Sequence, residues 1–299
     1  MTAPVAYPLG PPTYSGNTLT VDTALNQPTR ITRRIADMTL QRLIVSSIFA
    51  PGGSVSGGAV VYDQALLNEL YLDRDVERVA PGDEFPIVTS VRQAPNVAEV
   101  EKWGGKFWVT DEAKDRNDVT TFNNQVTQLG NTIVRKVNTR AVETLETAIT
   151  ALGGAGTFGG QDWTAVVTGG SSQTNSSAWP AADFAKAQML ADVEELGVVY
   201  DLWLVNPLDK AQLAIVYGSA LAGVLDSFGI AMFSSNRIAA GTAYAVARGQ
   251  VGEIRIEKPL GTETWREQKT ERTWVQSSTR PVMYVTNPYS IKKITGLAG

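Results

Sequence analysis

VTTFNNQVTQLGNTIVRKVNTRAVETLETAITAL, residues 119–152, is the stretch whose reading decides the fold. Apolar residues recur at Phe122, Val126, Leu129, Ile133, Val134, Val137, Ala141, Val142, Leu145, Ala148, Ile149 and Leu152, mostly in steps of three and four. That spacing puts them on one stripe of an α-helix. Asp118 stands where an N-cap is wanted, and Gly153-Gly154 ends the pattern. At 1.5 Å per residue the helix is about 50 Å long. Gly130 interrupts it at a cost of about 1 kcal/mol, and any bend is expected there. A single helix of this length acts as a strut, and the flanking sequence must supply what it carries.

Upstream, residues 1–29 contain Pro4, Pro8, Pro11, Pro12 and Pro28 and no Lys or Arg. No helix is expected here. The spread of apolar residues, including Tyr7 and Tyr14, suits an extended arm lying on another surface better than a flexible terminus. Residues 30–49 begin with a helical pattern at Ile31, Ile35 and Met38, and Arg30, Arg33, Arg34 and Arg42 make it basic. A solvated face explains that charge, with contact to an acidic polymer or partner as the sharper alternative. After Pro51-Gly52-Gly53, a helical piece is expected around Ala65–Leu72. Two strand-like runs, Val76–Ala80 and Phe85–Val91, flank the turn signal Pro81-Gly82-Asp83-Glu84. A third run is Val97–Val109. A lone two-stranded ribbon is marginal in water, so such a hairpin needs support, for example from a neighbouring subunit.

Downstream, Gly153–Ser177 reads as loop with one short strand at Trp163–Val167. A helix over Ala181–Leu196 follows, opened by Pro180 and ended by Gly197. Val198–Val205 reads as a strand, and Asn206 caps a further helix. Short strands are expected at Ile230–Phe233 and Ala243–Ala247. Residues 251–294 alternate as strands expected to lie along the stripe of the long helix. The class is α+β.

Composition narrows the chemistry. The 299 residues include 43% hydrophobic and 19% charged, with net charge −4, which argues against a protein whose main task is gripping phosphates. There is no Cys and no His, so disulfides, thiolate metal sites, the commonest general base and Ser-His or Cys-His dyads are excluded. No apolar run approaches a membrane span, and no signal peptide is recognisable. A soluble protein made in the cytoplasm is expected, with no cofactor and no metal. The acidic run Asp111, Glu112, Asp115, Asp118 fails as a calcium loop, because Arg116 stands at position six and Phe122 at position twelve. It suits the start of a helix. The glycines of 153–160 follow a helix and lack the P-loop lysine. Lys102-Trp103 and Lys106-Phe107-Trp108 could stack single-stranded bases, but a packed strand with snorkelling lysines fits better. No nucleophile motif is present, which favours a structural, non-enzymatic role.

The order of parts then carries a resemblance. Gly58-Ala59-Val60-Val61-Tyr62, the run from Val76 to Pro86, Val109-Thr110-Asp111-Glu112-Ala113, Val205-Asn206-Pro207 and the ending from Val285 to Ile294 follow one another as in a known family. The chain resembles the major capsid protein of tailed bacteriophages with the Hong Kong ninety-seven type fold, most closely in siphophages of actinobacteria. The resemblance implies a viral capsid fold with an N-terminal arm at 1–51 and an extended β-hairpin loop at 52–105. A peripheral domain with the spine helix takes 106–155 and 253–299, and an axial domain takes 156–252.

It further implies a homo-oligomer, as pentamers and hexamers in an icosahedral shell that encloses double-stranded DNA without sequence-specific binding. That shell would be a virion capsid assembled in the host bacterial cytoplasm, without membrane contact. Possible partners are a separate scaffolding protein, a portal and a decoration protein. Candidate inter-subunit contacts are Tyr7, Tyr14, Arg33 and Arg34 from the arm, and Tyr62, Arg78, Asp83, Glu84, Lys102 and Trp103 from the loop. The spine adds Arg135, Arg140 and Glu143. An encapsulin-like compartment enclosing a cargo enzyme is the alternative, and a hydrolase using Asp111–Asp118 a more remote one.

Overall fold

The computed structural model describes residues 20–40, 43–65, 76–89 and 94–298. Its first elements are α1 (Val21–Asn26) and α2 (Pro28–Leu40). The arm expected to stay free of helix up to residue 29 is therefore helical from residue 21. The preceding proline is Pro12, so no ring obstructs 21–27, and Pro28 takes the first position of α2, where a missing N–H costs nothing. Val21, Ala24, Leu25, Ile31 and Ile35 are buried against Phe122 and Val126 of the long helix.

Next come α3 (Val45–Ile48), β1 (Ala50–Ser54), β2 (Ala59–Tyr62) and β3 (Asn96–Glu99). β2 and β3 form an antiparallel ribbon with Ala59 opposite Glu99. Beyond it the turn at Pro81-Gly82 is present, with Gly82 at φ 98°. The expected strands on either side of that turn are not. Val76–Ala80 and Phe85–Thr89 carry no strand ladder among the described residues, and extended chain without a ladder is not sheet. The helical piece expected at 65–72 lies, beyond Ala65, outside the described residues.

β4 (Trp103–Thr110) leads through α4 (Asp111–Asp115) into α5 (Val119–Ala151), the spine. Asp118 caps it as expected, accepting from the Thr121 amide at 3.0 Å. Its buried stripe runs from Phe122 through Val126, Ile133, Val137, Ala141 and Leu145 to Ile149, with Gly130 buried in the same helix. β5 (Thr157–Gly159) follows. Trp163–Val167 is not the expected strand. Asp162 accepts from the Thr164 amide at 2.8 Å and winds a 3₁₀ turn, and the buried Trp163 indole donates to Asp183 at 2.8 Å.

The chain continues through α6 (Pro180–Val193), β6 (Leu202–Val205), α7 (Pro207–Tyr217), α8 (Leu221–Ser227), β7 (Ala231–Ser234) and β8 (Thr242–Val246). β6 is shorter than expected, because the Tyr200 amide bonds to the Gln188 side chain at 3.1 Å and not to a strand. β9 (Gly252–Glu267), β10 (Arg272–Val285) and β11 (Ile291–Thr295) complete the fold.

The sheets are β1-β9-β10-β4, β5-β11-β8-β6-β7 and the β2-β3 ribbon. The last strand, β11, thus lies among strands of the segment expected to be axial. Alternation sorts the five-stranded sheet into two faces. Leu202, Leu204, Tyr244, Val246 and Ile291 pack with Ile133, Val137, Ala141 and Leu145 of the spine and with Met283 and Val285 of β10. Trp203, Val205, Ala245 and Ile294 pack with Phe184, Ala187 and Leu213 of α6 and α7. Each of the buried Val, Leu, Ile, Met and Phe side chains contributes about 1.5–3 kcal/mol.

Candidate inter-subunit surfaces

The ribbon is braced from below. The Tyr62 ring meets that of Tyr284 at 4.7 Å, and Val60 packs beside Val282. Burial pushes the Tyr62 hydroxyl above its usual range. Tyr284 donates to Glu253 at 2.6 Å, and burial with that carboxylate raises it to about 12. Arg140 on the spine holds Glu101 through two contacts, at 2.8 and 3.1 Å, and lies 3.7 Å from Glu143. Three of the expected contact residues, Tyr62, Arg140 and Glu143, therefore gather at the loop's own base. A cleft of about 490 Å³ remains between ribbon and spine.

The described residues around the Pro81-Gly82 turn are uncovered. Val76, Phe85 and Ile87 are 80%, 78% and 81% exposed. Arg78, Asp83 and Glu84 are exposed beside them, and no ion pair joins these three to other described residues. On the arm, Tyr7 and Tyr14 lie outside the described residues. Arg33 is exposed on α2, whereas Arg34 is half-buried and donates to Asn123 of the spine.

The aromatic–basic run at 102–108 is largely committed within the subunit. Trp108 and Trp265 flank Trp274 across three strands. Lys106 lies 4.4 Å over the Trp274 ring, and Arg272 sits 4.8 Å from Trp274 and 5.5 Å from Trp108. These cation–π contacts occupy ring faces that stacked bases would need. Arg272, the Trp274 N–H and Thr270 together hold the Glu267 carboxyl down at about 2. Lys102 is exposed, and Trp103 is half-buried with its indole N–H unpartnered. The acidic run serves helix ends. Asp111 pairs with Arg266, Asp118 caps the spine, and no metal-binding cluster exists among the described residues. Among those residues no helix is long and apolar enough to cross a membrane.

Two surfaces escape a reading by single stripes. α6 buries Phe184, Ala187 and Ala191 yet exposes Met189 and Val193, and α7 buries Leu213 yet exposes Leu208 and Ile215. The signal was a second apolar stripe, Ala185, Met189, Val193, at steps of four.

A family model described as phage capsid protein matches residues 94–294. No curated protein matches. Among solved structures the chain is similar to a virus-like particle from Pyrococcus furiosus. The identity is 12% and the TM-score 0.57, over 90% of this chain and 99% of that one. It is also similar to the capsid of cyanophage P-SCSP1u, at 13% identity and TM-score 0.59, over 86% and 89% of the two chains. Mycobacterium phage Bobi gives 10% and 0.58, again over 86% and 89%. At these identities the likeness is one of fold.

Proposed function

The chain belongs to the phage capsid protein family, and from that membership we propose that its copies close, as pentamers and hexamers, into an icosahedral shell around double-stranded DNA. The protein is a structural one with the Hong Kong ninety-seven type fold. The observation that carries the reading is the span of the family match, which runs from the ribbon's returning strand through the spine to β11. It puts a virion shell ahead of a cargo compartment. In this reading residues 1–51 are the arm and 52–105 the loop that reaches a neighbour. Residues 106–155 and 253–299 form the peripheral part, and 156–252 the axial part, completed by β11. Assembly in a bacterial cytoplasm, with scaffolding, portal and decoration proteins as partners, belongs to the same proposal. Many individually weak contacts per subunit supply the shell's stability.

Electron microscopy and sedimentation of the purified chain, alone and with a scaffolding protein, test the reading. Closed particles of megadalton mass are expected. A chain that stays monomeric or dimeric under every assembly condition overturns it.

A further inference from the structure

Six of the described arginines have a carboxylate of their own. Arg140, Arg248, Arg255, Arg266, Arg272 and Arg280 all form ion pairs. Arg135 on the spine and Arg237 after β7 form none among the described residues, and both face one cleft of about 340 Å³. The rest of its lining is polar apart from Val134, with Asn131, Asn138, Ser234, Ser235 and Asn236 and no carboxylate, and Asn138 Oδ1 already accepts from the Ile44 amide at 3.0 Å.

Both arginines stand on fixed backbone. Arg135 lies inside the 33-residue spine. Arg237 sits on a turn held by several bonds. Its amide donates to Ser235 Oγ at 3.3 Å, the Ile238 amide to Ser235 O at 3.2 Å, and Asn206 Nδ2 to Ile238 O at 2.7 Å. Ile238 is 1% exposed and anchors the turn in the core. Two arginines thus line one polar space from fixed backbone positions, and only their side chains need ordering when an anion binds.

We propose that this cleft is an oxyanion site that takes phosphate groups of the enclosed DNA backbone, one weak and sequence-independent contact per subunit. The donor set is that of phosphate recognition, with Arg forks supported by hydroxyl and amide groups. A carboxylate presented by a neighbouring copy is the competing occupant. The exposed acidic turn of this chain carries Asp83 and Glu84 beside Phe85 and Ile87. Those side chains would need an apolar receiving surface, and in this lining Val134 is the apolar residue. The DNA assignment rests on the shell reading above. It is compatible with a net charge of −4, because single contacts of this kind release easily in salt.

The test is fluorescence anisotropy of a short random-sequence DNA duplex against the full chain over a salt series, with polyphosphate and polyglutamate as competitors. Arg135→Gln and Arg237→Gln are each expected to lower the slope of log affinity against log salt by about 0.9, and the double variant by about twice that. Arg248→Gln, whose guanidinium is already paired with Asp201, is expected to leave the slope unchanged. Polyphosphate should compete better than polyglutamate. Both cleft arginines are exposed, so the variants keep the fold. A double variant that binds duplex with the parent slope overturns the site. So does polyglutamate competing equally well, or a double variant that loses particles but keeps duplex binding, which assigns the cleft to a neighbouring copy. Particle formation by the parent chain is scored separately by electron microscopy, so failure of the shell reading is distinguishable from failure of the phosphate site.

Discussion

Lys292 and Lys293 are adjacent on β11 and point to opposite faces of one sheet. Lys292, whose side chain is 1% exposed, pairs with Glu194 at the end of α6 and donates to Ala155 O at 2.6 Å. Lys293 reaches both oxygens of Glu146 on the spine, at 2.7 and 2.9 Å. Breaking the buried pair leaves Glu194 poorly solvated without its partner. Lys292→Ala is expected to cost about 3–5 kcal/mol in urea unfolding, and a paired Lys292→Met, Glu194→Leu replacement to recover most of it. A single-variant loss under about 1 kcal/mol would show that the pair is not desolvated. Lys293→Ala, at a half-exposed pair, should cost about 1 kcal/mol or less.

Glu267 supplies a pH signature. Its folded pKa lies near 2, below its ordinary 4.5, because Arg272, Trp274 and Thr270 favour the charged form. The unfolded chain therefore binds the proton first as pH falls. The stabilisation is complete above pH 4.5 and is lost progressively towards pH 2. Glu267→Gln should show a smaller drop in melting temperature over that window than the parent. Equal acid sensitivity would remove Glu267 from the account. The lysine pairings were not legible in the sequence, because each joins residues far apart in the chain, and the Glu267 cluster, though local, needs the turn between β9 and β10 to bring its members together. The six arginine partners could not be named from spacing either.

Elements were more legible. The spine's cap, stripe and glycine stop are local, and the helix at Val119–Ala151 matches the expectation at 119–152 within a residue. Leu145 is fully buried and Glu143 is exposed on the opposite face. Leu145→Ala is expected to cost about 2–5 kcal/mol, and Glu143→Ala to stay within about 0.5 kcal/mol, both read from denaturant midpoints. Comparable losses would mean that the helix is packed all round. Asn206 was likewise readable as a cap, and it accepts from the Leu208 amide at 2.9 Å. Its second task, holding Ile238 O, was not readable. The strands around Pro81-Gly82 were misread for a physical reason. Alternation reports which residues suit a pleated surface, and only a partner strand makes them sheet. At α1 the error ran the other way, since a proline count over 29 residues hid the proline-free stretch between Pro12 and Pro28.

At the scale of the molecule, the apolar surface left uncovered is as informative as the core. Phe85 and Ile87 touch little of their own subunit. Phe85→Ser with Ile87→Ser should leave the subunit's unfolding midpoint unchanged while abolishing or strongly reducing closed particles by sedimentation. Normal particle yield would show that the loop tip is not an assembly contact.

The sequence by itself determined the spine, the α+β class, the lack of thiol and imidazole chemistry, and the order of parts that marks the family. Those features are set by local periodicity, capping and composition. Tertiary structure alone decided that β11 crosses into the five-stranded sheet, that Tyr62 and Arg140 brace the loop base, and that Arg135 and Arg237 share a cleft. Each of these depends on which distant segments meet, and that follows from burying both faces of the sheets at once.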